Sequence, residues 1–460
     1  MSSAGEAAER FGFHLFTFCV ALAPLAFGVT EPLAASTVGL VLAACVLLAL
    51  LAPDKHPGPL WLARMTMLVA GIVCAWTLFQ AATWHIAPTT HPAWGVEAQL
   101  MGVSEDQLAF PRYAVLVATG YVLIPLAGFL CAVLLVHDDM RHARFVQLLV
   151  AVNLGIAAFC IAQYVLAPQW LLWTSKVHYR NALTGPYINP NTAATHYGLV
   201  LIVALGIALR QYQRVDLAAY LDRKVATPPE ARELRLFAFY AIAAFTFFIA
   251  LMLTRSRAGI LAALLGATLL VVAFVYDAVR RRASFARALG LSLLSLVGVL
   301  AVFSVFGERI LLRLEHQGLI DQARLCAYQS IWTAIAQGKW WLGTGLGTFA
   351  DIFPAYRQPA CGLYGHWEMA HSVFLEGLLT LGVLFLACAA LAYYVLIKAF
   401  AHGVVHRRRY RYVPLTCLGI LLMLTLHSLV DFSLQIPGFA LAAAAVLGSG
   451  AAVSLRSRMP

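Results

Sequence analysis

Apolar residues run through this chain in long stretches separated by short polar breaks. A run of about 20 apolar residues is the length that crosses a bilayer as a helix. In lipid every backbone polar group must be bonded within its own segment, which selects helices. The pattern predicts twelve spans, at about 11–30, 32–52, 63–84, 112–136, 144–167, 191–210, 235–253, 258–279, 288–306, 371–400, 414–430 and 436–455. The expected fold class is therefore all-α, a polytopic integral membrane protein. One break is unlike the others. Residues 307–370 separate two spans by about 60 positions, well beyond an ordinary connection, which points to a lid or a site wall. Within it Leu325, Tyr328, Ile331, Trp332, Ile335 and Ala336 recur at helical spacing and predict an amphipathic interfacial helix over 320–337. GTGLGTF at 343–349 then reads as a flexible turn. The polar start MSSAGEAAER and the lack of a small-residue cleavage pattern after the first apolar run make that run a span rather than a cleaved signal.

Composition agrees. The 460 residues are 62% hydrophobic and 12% charged, where a soluble domain is about half apolar. The net charge of +11 is spread over short loops, and neither a phosphate-cradling glycine loop nor zinc-type cysteine spacing is present, so no nucleic-acid partner is expected. If the N-terminus is cytoplasmic, the cytoplasmic segments hold 22 of the 32 Lys and Arg, as the positive-inside bias requires. The ten on the other side are Arg112, Lys176, Arg180, Arg255, Arg257, Arg309, Arg313, Arg324, Lys339 and Arg357. They oppose that bias, and some are candidates for a ligand. Arg112, Lys176, Arg309 and Lys339 read as solvated loop charges. Seven of the nine cysteines lie in spans as small hydrophobes. Cys326 and Cys361 share the outer segment, where an oxidising compartment would permit a bridge or leave two thiols.

Three stretches carry candidate chemistry. LTRSRAGILAALLG at 253–266 puts Arg255 and Arg257 in one tight outer turn. Snorkelling explains one arginine; two suggest an anion, since guanidinium forks match phosphate oxygens. HYRNALTGPYINPNTAATHYG at 178–198 offers Arg180, Asn189 and Asn191 at the same surface; helix capping is the simpler role for the asparagines, and His196 reads as a satisfied core histidine. His371 opens the run 371–400 at the water boundary, either as a proton acceptor with a pKa near 6.5 or as an interfacial cap. Glu376 lies deeper and needs a partner; His427 and Asp431 make a plausible polar pair four residues apart. A transporter would satisfy these features as well as an enzyme would.

In order, TRSRAG, then ARLCAYQSIWTAI and WWLGTGLGTF, then AHSVFLEGLLTLGVLFL resemble the O-antigen ligase and polymerase superfamily. The matching positions are Ser256 and Arg257; Arg324; Gly345, Gly347 and Phe349 in a looser glycine pattern; His371; Leu375 and Glu376; and Gly382. The resemblance covers about half the chain. It divides the chain into N-terminal spans at 1–177, a ligase/polymerase-type region at 178–400 that includes the loop 307–370, and C-terminal spans at 401–460. It implies a GT-C-type membrane glycosyltransferase at the periplasmic face of a bacterial inner membrane. The donor would be a glycan on undecaprenyl diphosphate, and the acceptor, on the ligase branch, a sugar hydroxyl of lipid A-core. A single displacement would invert the anomeric centre. His371 would be the general base, Arg257 and Arg324 the diphosphate clamp, Arg255 and Arg180 weaker ligands, and Glu376 and Asn189 supporting groups. No cofactor or metal is expected, although Asp321 and Asp351 keep a metal open. Trp340, Trp341 and Trp367 suit sugar stacking or an interfacial belt. The alternatives are a polymerase that extends lipid-linked repeats and a lipid-linked saccharide transporter.

Overall fold

The computed structural model describes residues 2–51, 57–82, 99–100, 108–109, 111–214, 228–280, 322–338, 340–358, 361 and 365–456. The expected span 288–306, Arg309, Arg313, Asp321 and Lys339 lie outside the described residues. The elements in order are α1 (Ser2–Leu22), a 3-10 turn (Ala23–Ala26), α2 (Pro32–Leu50), α3 (Pro57–Ala81), α4 (Arg112–Leu135) and α5 (Asp139–Leu166). A small antiparallel hairpin follows, β1 (Trp170–Leu171) and β2 (Thr174–Ser175). Next come α6 (Pro190–Tyr212), α7 (Pro228–Leu253), α8 (Arg257–Arg280), α9 (Gln322–Gln337), α10 (Phe349–Tyr356), α11 (Val373–Leu381), α12 (Val383–His406), α13 (Tyr412–Ser428), a 3-10 turn (Ser433–Gln435) and α14 (Pro437–Leu455). Among the described residues nine helices are long and apolar enough to cross a membrane, and α13 is a shorter apolar helix. The protein is an all-α, polytopic membrane protein.

Two helices form the centre. α6 and α14 are almost wholly enclosed, whereas α2, α4 and α12 expose most of their apolar surface. The run FALAAAAVLGSGAAVS explains why α14 tolerates enclosure: small side chains let neighbouring backbones approach closely, the main source of helix association in lipid. α8 and α13 cross at Gly266 and Gly419, where a Cβ on Gly419 would stand 2.6 Å from the Gly266 carbonyl oxygen. That crossing fixes the two helices that lead into the site.

Charge sorts to the two ends. At one end Arg141 pairs with Glu9 at 2.8 Å, Arg407 with Asp139, and Arg411 with Asp277. The Arg210 guanidinium lies between the Tyr410 and Tyr412 rings. All these arginines belong to segments expected on the cytoplasmic side. At the opposite end of α6, α8 and α13 stand Asn191, Arg257 and His427.

The outer segment departs from the expectations in three ways. The run 371–400 is two helices, broken at Gly382, whose φ of 65° takes a left-handed turn there. A side chain at Gly382 would meet the Trp341 carbonyl oxygen at 2.6 Å, so only glycine fits. The turn at 343–349 is pinned rather than flexible. Gln80, fully buried at the end of α3, donates to the carbonyls of Leu342 and Thr380 at 2.9 Å each and accepts from the Leu346 N–H. The buried face of α9 is also rotated from the expected stripe. Ala327, Ile331, Ala334 and Ile335 pack on Phe349, Phe353, Ala370 and Leu379, while Leu325, Trp332 and Ala336 point outward. Finally, Cys326 on α9 and Cys361 are disulfide-bonded, with Cα atoms 5.9 Å apart.

Thiol counting tests this bond. Protein from native membranes, denatured without reductant, should titrate seven of its nine cysteines, and all nine after reduction. Nine reactive thiols before reduction would contradict it.

Candidate active site

His371 lies just before α11, with a left-handed φ of 55°. Such a conformation is uncommon outside glycine and must be held by its surroundings. Two side chains hold it. Tyr328, on α9, donates its hydroxyl to the His371 carbonyl at 2.7 Å. Glu376, buried in the first turn of α11, accepts the N–H of Ala370 at 2.7 Å. Ser372 then caps α11. The imidazole packs edge-on against Trp367, with centroids 5.6 Å apart, and against Phe432, at 5.0 Å.

Arg324 stands one helical turn before Tyr328 on the same face of α9. Its Nη1 donates to the carbonyl of Val430 at 2.7 Å. Both the histidine and this arginine therefore lean on one segment, residues 430–432, between α13 and α14.

The arginine turn reaches the same segment from the other side. Residues 254–256 join α7 to α8, and Arg255 is left-handed at φ 57°. Ser256 is buried; its Oγ accepts the Gly259 N–H at 3.2 Å and so caps α8. The same hydroxyl donates to Asn191 Oδ1 at 2.7 Å, and Asn191 Nδ2 donates to Asp431 Oδ2 at 2.6 Å. Asp431 is fully buried and also accepts from Ser433 at 2.6 Å. Arg255 and Arg257 are exposed at the start of α8. The helix dipole is positive there and disfavours cations, so two arginines at that position suit an anion between them.

Residues 242–390 match the family model described as O-Antigen ligase. Over this stretch the chain is similar to the O-antigen ligase family. No curated protein matches the chain. The matched stretch covers about a third of the sequence and contains Arg255, Arg257, Arg324, His371 and Glu376. Asn191 and residues 430–435, which join these groups from behind, lie outside the matched stretch. The family is one of membrane glycosyltransferase-type ligases and polymerases, which supports a transferase role for this chain.

The remaining expectations fall on different places around the matched stretch. Asn189 caps α6 by accepting the Asn191 N–H at 2.7 Å, so its side chain is committed to the helix. Arg180 is exposed on the loop before α6, where its Nε donates to the Lys176 carbonyl at 3.2 Å. That loop is tied to the arginine turn by Leu183 N–H to the Leu253 carbonyl at 2.9 Å. Lys176 is not a solvated loop charge: it is buried, donates to the Ala182 carbonyl at 2.9 Å, and burial pushes its ammonium pKa down. His196 is satisfied in the core by Tyr187 and Asn153. His427 bonds Thr195 at 3.0 Å and stands 4.0 Å from Asp431, whose closer partners are Asn191 and Ser433. Trp367 belongs to the histidine wall, whereas Trp340 and Trp341 are exposed. Tyr328 was not anticipated, although its place four residues after Arg324 on one helix face was visible.

Burial raises the Glu376 carboxyl from 4.5 to about 7, against the opposing bonds from Ala370 and Gln435. A raised carboxyl favours the folded state while it stays protonated. Its contribution is therefore greatest below pH 4.5, falls as the unfolded chain ionises, and levels off above about pH 7. Across that window the loss is about 3 kcal/mol. Thermal unfolding in detergent from pH 5 to 8 should show stability falling with pH, and Glu376→Gln should flatten the slope. An unchanged slope would mean that Glu376 titrates normally.

Proposed function

We propose that this protein is an O-antigen ligase, transferring a glycan from undecaprenyl diphosphate to a sugar hydroxyl of lipid A-core. The observation that carries this reading is the convergence of three separate elements on residues 430–433. Arg324 bonds Val430, the Ser256 turn reaches Asp431 through Asn191, and the His371 ring rests on Phe432. Two walls thereby share one support: the turn of Arg255 and Arg257 reaches it through Asn191, and Arg324 and His371 lean on it directly.

Those walls fit the two halves of a glycosyl transfer. The acceptor hydroxyl oxygen attacks the anomeric carbon as the bond from that carbon to the diphosphate oxygen breaks. His371 takes the hydroxyl proton. Arg257 and Arg324 carry the negative charge that develops on the departing diphosphate, and preorganised charges of this kind need no rearrangement as the reaction proceeds. Arg180, on the adjoining loop, is a weaker diphosphate ligand in this reading. Glu376 and Tyr328 hold the histidine backbone in its left-handed turn. Attack from the face opposite the leaving group inverts the anomeric centre. The site faces the periplasm of the inner membrane in this reading, which agrees with the paired basic residues at the other end of the bundle.

The test is transfer in a reconstituted system holding lipid-linked O-antigen and lipid A-core. His371→Ala should lower the rate by at least about 10²-fold, the usual contribution of a general base, with the unfolding temperature unchanged. Undiminished product would remove His371 from the mechanism. Chain growth on lipid-linked repeats alone would make the enzyme a polymerase.

A further inference from the structure

We infer that Asn191 is a positioning residue that sets the separation between the arginine turn and the histidine wall by bridging Ser256 to Asp431; this rests on the ligase reading above. Capping is not its task, because Asn189 caps α6 and Asn191 contributes only a backbone N–H to that cap. Its side chain instead ties the α7–α8 turn to the segment between α13 and α14, although Ser256 is 65 residues away and Asp431 is 240.

The chemistry of the partners fixes the direction of every bond. A carboxylate accepts only, so the amide nitrogen faces Asp431 and the amide oxygen faces Ser256. Ser256 must then give its proton to Asn191 and receive the Gly259 N–H on a lone pair. Ser433 gives its proton to the other Asp431 oxygen. The bridge is therefore a rigid, one-way chain with a buried carboxylate at its end, and Asp431 is fully buried. On one side of it stand Arg255 and Arg257. On the other, one residue either way from Asp431, are Val430, which holds Arg324, and Phe432, which backs His371. The length of a single amide thus spaces the two halves of the clamp.

An exchange of the two side chains tests this directly. Asn191→Asp alone sets two carboxylates against each other and removes the amide donor between them. It should raise the donor KM at least about tenfold, the size of one buried coupled contact, and leave the acceptor KM unchanged. Adding Asp431→Asn restores every bond: the carboxylate at 191 accepts from Ser256 and from the amide at 431, whose oxygen accepts from Ser433. The double variant should return the donor KM to within about threefold of wild type. Equal donor KM in wild type and Asn191→Asp would overturn the inference, as would a folded double variant no better than the single. If Asn191→Asp does not fold, Asn191→Ala replaces it; a raised donor KM with unchanged acceptor KM supports the bridge, and an unchanged donor KM overturns it. Failure of the ligase reading looks different: the wild type itself makes no product. The same variants are then compared by their binding of undecaprenyl diphosphate in detergent, with loss in the single and recovery in the double expected, and any other pattern overturning the bridge.

Discussion

Asp431 is a carboxylate with no access to water, and the outer end of the molecule is arranged around satisfying it. A buried charge persists only when hydrogen bonds replace its hydration. Here the replacements come from Asn191 on α6 and Ser433 in the following turn. Removing either donor exposes the carboxylate to an apolar interior, so the segment 430–433 cannot shift independently of α6. Because α6 and α14 are the two most enclosed of the described spans, that segment is anchored to the most enclosed part of the bundle. The groups that face the site rest on this segment. Val430 offers its carbonyl to Arg324, and Phe432 offers its ring to His371.

The long outer segment is fastened at several independent points. The Cys326–Cys361 disulfide joins α9 to the chain before α11. Tyr328 and Glu376 hold the residues at and before His371, and Gln80 clamps the glycine turn to the end of α11. A wall held this way suits a reaction whose transition state gathers charge on a departing diphosphate, because fixed dipoles and charges act without first rearranging. Two left-handed residues, His371 and Arg255, lie in the two segments that residues 430–433 tie together. Each such residue costs on the order of 1 kcal/mol or more and is retained only where its surroundings dictate it.

Most of the spans were legible because a bilayer imposes one requirement, a long apolar helix, that hydropathy reads directly. The expected spans at 32–52, 112–136 and 436–455 match α2, α4 and α14 closely. The break at Gly382 was not legible. Glycine is common inside membrane helices, and what makes it a break is the close approach of Trp341, distant in sequence. Likewise, the cysteine pair could be seen but not its distance, and Lys176 looked like any loop cation until Ala182 and Tyr164 closed over it. At the site, the order of Arg257, Arg324 and His371 was visible as a family pattern. The residues that tie them to one segment, Asn191 and Asp431, were not, because their bond joins the start of α6 to the segment after α13, on either side of the matched stretch, and only the packing of α6 against α13 makes it.

The most direct measurement is a cryo-EM structure of the protein with undecaprenyl diphosphate bound. Phosphate density is expected within hydrogen-bonding distance of both Arg257 and Arg324, on the side of the 430–433 segment that His371 faces. Phosphates held elsewhere, with those two arginines pointing away from them, would contradict it.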